Sequence, residues 1–108
     1  MHFVELENTW AGVELAQMEP LTLLFVATWH SVYRIVVVGG IEVLVQGGRF
    51  FPDLTPADLH GRSAGGHALK PGWIGVGHRM AFRTTGHVIV TSPVVAITAE
   101  RGSVSMVQ

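Results

Sequence analysis

Asp58-Leu59-His60, followed by His67 and then His78, is the densest set of potential metal ligands in the chain. Neutral imidazoles and a carboxylate suit zinc or another first-row transition metal. A small metal-dependent or acid–base enzyme using Asp58, His60, His67 and His78 is therefore one expectation. Their spacing fits no established ligand pattern, and a loop site needs supporting contacts to hold its ligands still. The plainer expectation is that these are polar surface histidines and that no cofactor is bound.

Arginine offers a second chemistry. From Arg49 to Arg83 the chain carries Arg49, Arg62, Lys70, Arg79 and Arg83 against only Asp53 and Asp58. On a strand, Arg79 and Arg83 share one face, two pleats or about 13 Å apart. Together with Arg62 and His67 they form a basic surface for an anionic small molecule or an acidic protein partner. The first twenty residues are the reverse, with Glu5, Glu7, Glu14 and Glu19 and no Lys or Arg. The bland alternative is a solvated polar face, because exposed ion pairs contribute little. Nucleic acid is disfavoured, since no basic stripe with interleaved aromatics is present.

Other chemistries fall away. Ser31 follows His30, and Ser63 lies three residues from His60, but neither sits in a strand-to-helix elbow that would expose a nucleophile. The glycines of Gly72-Trp73-Ile74-Gly75-Val76-Gly77 lack the helix amino terminus that makes such a loop an anion cradle. Asp53 and Asp58 form a possible carboxylate pair. A structural role suits Asp58 better, because Thr55-Pro56-Ala57-Asp58 reads as a helix cap with proline at the first position. One helical turn over 56–60 is expected, stopped by Gly61, with Phe50 and Phe51 anchoring its start in the core.

These residues need a scaffold, and composition bounds it. The 108 residues make one domain, 48% hydrophobic and only 14% charged, with net charge −1. An average soluble domain is roughly 25% charged. There is no cysteine, so neither a disulfide framework nor a thiolate nucleophile is available. Glu5 and Glu7 stand where a secretion signal needs basic residues. Residues 21–38 approach membrane-spanning length but contain His30 and Arg34, and a central arginine costs about 2.5–3.5 kcal/mol on insertion scales. A soluble cytoplasmic protein with no membrane partner is expected.

Strand signals recur along the chain. Residues 31–38 are β-branched and aromatic, residues 41–46 alternate, and Gly39-Gly40 between them suits a tight hairpin turn. Residues 78–84 and 87–91 form a second expected hairpin, turning near Thr85-Gly86, with Met80 and Phe82 on one face. Residues 21–29, 73–77 and 94–99 read as further strands. The first fifteen residues read as a hairpin turning near Gly12, or as an amphipathic helix carrying Phe3, Leu6, Trp10 and Val13. The expected fold is an all-β antiparallel sandwich or small barrel of six to eight short strands. Residues 47–72 are then a long crossover with a mobile tip over 62–67, a length of loop that is usually functional or disordered.

One pattern bears on assembly. Ile35-Val36-Val37-Val38 and Val94-Val95-Ala96-Ile97 are apolar on both faces, whereas a strand in a two-layer domain needs only one dry face. The leading expectation is a non-enzymatic binding or assembly module that homo-oligomerises, with a two-fold dimer the commonest form. Scattered surface valines offer the simpler reading.

Overall fold

Strand propensity governs the structure almost throughout. The computed structural model describes residues 9–63 and 68–100. Among them the chain forms eleven strands and one 3-10 turn: β1 (Thr9–Trp10), β2 (Gly12–Glu14), the turn Leu15–Gln17, β3 (Leu23–Thr28), β4 (Val32–Gly39), β5 (Glu42–Gly47), β6 (Phe51–Arg62), β7 (Leu69–Pro71), β8 (Trp73–Gly75), β9 (Arg79–Thr84), β10 (His87–Val90) and β11 (Val94–Glu100). Nine strands make one sheet in the order β1-β11-β3-β4-β5-β6-β9-β10, with β7 also paired to β6, and β2 and β8 make a separate ribbon. Every pairing is antiparallel. The result is sandwich-like, and the sheet does not close into a barrel.

The inner face follows period-two alternation. Leu24 and Val26 of β3, Ile35 and Val37 of β4, and Val43 and Val45 of β5 are all buried. Met80, Phe82 and Ile97 join them from β9 and β11. Phe82 packs edge-on against Phe51 at 5.5 Å between ring centroids and lies 5.8 Å from Tyr33. The β2–β8 ribbon lays Val13 and Ile74 over this cluster, and the following 3-10 turn adds Leu15.

Both expected hairpins form. Gly39 pairs with Glu42, so the tight turn is Gly40-Ile41, one residue beyond the expected position, and Gly40 takes φ 60°. Thr84 pairs with His87 across Thr85-Gly86 as expected.

Two expectations are corrected. The first concerns residues 47–72, which are not a crossover loop with a helical turn. Residues 51–62 form the longest strand of the sheet, so Thr55 caps nothing and Asp58 and His60 are strand residues. The prolines are tolerated because β9 pairs with β6 only from Asp58 onward, which leaves residues 51–57 bonded on one edge alone. Proline is accommodated where a strand has a free edge. Gly61 does not end a helix. A Cβ there would strike the Trp73 carbonyl oxygen, so glycine lets β8 cross close over β6. Phe51 is buried while its neighbour Phe50 is 63% exposed, as alternation along the chain demands. Of the expected mobile tip, Arg62 lies in β6, and 64–67 lie outside the described residues.

The second correction concerns the amino-terminal segment, which over 9–14 is neither a hairpin nor a helix. β1 adds to the edge beside β11, and Gly12 lies within β2, paired to Gly75 of β8. Residues 1–8 are outside the described residues.

Candidate functional site

Register places the charged residues. β6 meets β9 with Asp58 opposite Arg83, His60 opposite Ala81 and Arg62 opposite Arg79. On its other edge β6 meets β7, with His60 opposite Pro71 and Arg62 opposite Leu69. β10 then sets Val88 beside Arg83 and Val90 beside Ala81. Because inward Leu59, Met80 and Phe82 belong to the core, Asp58, His60, Arg62, Arg79, Ala81 and Arg83 all project from the outer face.

Across this face three rows run from strand to strand. Arg83 stands in the first, Ala81 and His60 in the second, and Arg62 in the third. The small methyl of Ala81 between larger neighbours leaves a hollow of about 260 Å³, lined by His60, Arg62, Leu69, Ala81, Arg83 and Val88. Its lining combines the aliphatic residues Leu69, Ala81 and Val88 with two arginines and a histidine, the mixture that small-ligand pockets use. Asp58 is outside the lining. Neither Arg62 nor Arg83 has a hydrogen-bond or ion-pair partner among the described residues. His60 Nδ1 is sealed from solvent and has no hydrogen-bond partner among the described residues.

The remaining candidates are dispersed. Arg79 stands next to the hollow but is tied back, its guanidinium donating to the Thr91 carbonyl at 3.0 Å. Lys70 lies over the Trp73 ring, 4.6 Å from its centroid. It is in register with inward-facing Gly61 and so sits on the other face. His78 packs edge-on against Trp73 at 5.1 Å, across the sheet from His60. His67 is outside the described residues. Among the described residues no three His, Asp or Glu side chains gather as a metal site would require. His30 and Ser31 lie in the β3–β4 turn, where the Thr28 hydroxyl accepts from both of their N–H groups. Ser63 follows β6 and its N–H donates to the Ala68 carbonyl.

Reading the sequence for charge singled out Arg62 and Arg83, which line this hollow, placed His60 in a metal set, and did not single out Leu69, Ala81 and Val88. The one available signal for Ala81 was its size. It is the single small residue of Arg79-Met80-Ala81-Phe82-Arg83, and it lies between the two arginines. A second hollow of about 470 Å³ is lined by His30, Ser31, Tyr33, Arg49, Phe50 and Ser92 among others, residues whose convergence the sequence did not signal. It assembles from three separate turns and strands.

Comparison of the chain with protein-family models, with curated proteins and with solved structures finds no match. No helix among the described residues is long and apolar enough to cross a membrane.

Proposed function

We propose that this chain is a binding module that takes an anionic ligand in the hollow over Ala81. The observation that carries the reading is Arg62 and Arg83 on the rim of one cavity with aliphatic walls. Guanidiniums give charge-assisted, often bidentate hydrogen bonds to carboxylate or phosphate. The low-dielectric walls make that attraction stronger than on an open surface. His60 supplies a further polar group, and Arg79 holds the strand ends together rather than touching the ligand.

Equilibrium titration with inorganic phosphate tests the reading. Arg62→Ala and Arg83→Ala are each expected to weaken phosphate binding about tenfold or more, since a lost charged hydrogen bond is worth about 1.5–3 kcal/mol. Asp58→Asn is expected to strengthen binding several-fold, because it removes an anion in register with Arg83. Unchanged affinity in both arginine variants would rule the site out.

A separate observation favours self-association. On the outer face Leu23, Val36, Leu44 and Pro56 lie in one cross-strand row, near exposed Val38 and Leu54. A contiguous apolar row of this kind is what an isologous two-fold contact uses. Sedimentation equilibrium is expected to give a dimer for the native chain and a monomer for Leu44→Lys. A native monomer at high concentration would remove this part of the proposal.

A further inference from the structure

The geometry points to a ligand with two acidic groups, one at each end of a short apolar spacer, and we infer that the hollow is built for such a dianion. The inference rests on the anion-binding reading above and narrows it. Arg83 is opposite Asp58, four residues along β6 from Arg62. Their Cα atoms are therefore about 13 Å apart along the strands and one strand apart across them. Yet both side chains line the same cavity of about 260 Å³, so the two cations approach it from opposite ends.

Between them the lining changes character. The floor is the Ala81 methyl, and the walls are Leu69 and Val88, with the His60 ring at the side. Anion, apolar spacer, anion is the complement of that arrangement. A monoanion held by one guanidinium leaves the other facing the same small space without a counter-charge. A single compact phosphate carries no apolar spacer. Neither fills the middle, where burying methylene groups is favourable. A short dicarboxylate is of a size for this hollow of about 260 Å³. Asp58 lies in the Arg83 row outside the lining, with Glu42 of β5 beyond it in the same row, so no acid stands among the described lining residues.

The test compares glutarate with butyrate by calorimetric titration of the full chain. Glutarate is expected to bind at least ten times more tightly than butyrate. Arg62→Ala and Arg83→Ala are each expected to bring glutarate down to the butyrate level, and the double variant to abolish both. Glutarate and butyrate binding equally, with both lost in the double variant, would overturn the two-ended ligand while leaving an anion site intact. Neither probe, nor phosphate, binding the native protein would overturn both readings. The native glutarate-to-butyrate ratio decides the matter even where a variant folds poorly.

Discussion

Phe82→Ala is expected to lower the stability of the chain by about 3–5 kcal/mol, the usual cost of truncating a buried phenylalanine. Phe82 is fully buried, packs edge-on against Phe51 and meets Tyr33 at a tilt. It therefore joins β9 to β6 and β4 across the inner face. Its loss removes ring contacts with two neighbours that cannot both move in to refill the space. Domains of this size are stable by roughly 0.05–0.15 kcal/mol per residue, so the loss takes about a fifth of the total or more. The urea midpoint is expected to fall accordingly with an unchanged slope. Phe50→Ala is the control. Its ring is 63% exposed, and surface substitutions of this kind stay within about 0.5 kcal/mol. Equal effects at the two positions would contradict the assigned alternation.

Ala81→Leu is expected to abolish anion binding while leaving the fold in place. The alanine side chain faces outward between His60 and Val90 in register and forms the floor of the hollow. A leucine there occupies the space the ligand needs without altering any charge. Its extra atoms point away from the Met80 and Phe82 layer, and leucine suits a pleated, half-covered position. Binding by diffuse positive charge predicts native affinity in this variant and a steep dependence on salt. Binding in a shaped hollow predicts a loss of at least tenfold, read by calorimetry with glutarate or phosphate. The variant separates shape from charge, which the arginine substitutions do not.

Much of the fold was legible where side chains alone decide it. Residues 31–46 and 78–91 announce hairpins because β-branched runs or alternating apolar residues flank glycine at the turns. Residues 51–62 hide a strand because Pro52, Asp53, Pro56, Asp58 and Gly61 all carry loop or cap propensities. What makes them a strand is tertiary. β5 offers a partner on one edge, β9 arrives only after the prolines, and the close passage of Trp73 demands a glycine at 61. None of these conditions is local. The site followed the same division. Charge flagged Arg62, Arg79 and Arg83, but only register shows that Arg79 turns to Thr91 while the other two share a cavity. His60 joins them because strand alternation puts it on their face. Aliphatic walls such as Leu69 and Val88 carry no chemical label at all.

The most direct test of the anion hollow is an amide proton–nitrogen correlation spectrum of the native chain, recorded while glutarate is added. Saturable shifts confined to residues 58–62, 69–71, 79–83 and 88–90 are the predicted result. Shifts centred elsewhere, or a spectrum unmoved at saturating concentration, would contradict the account.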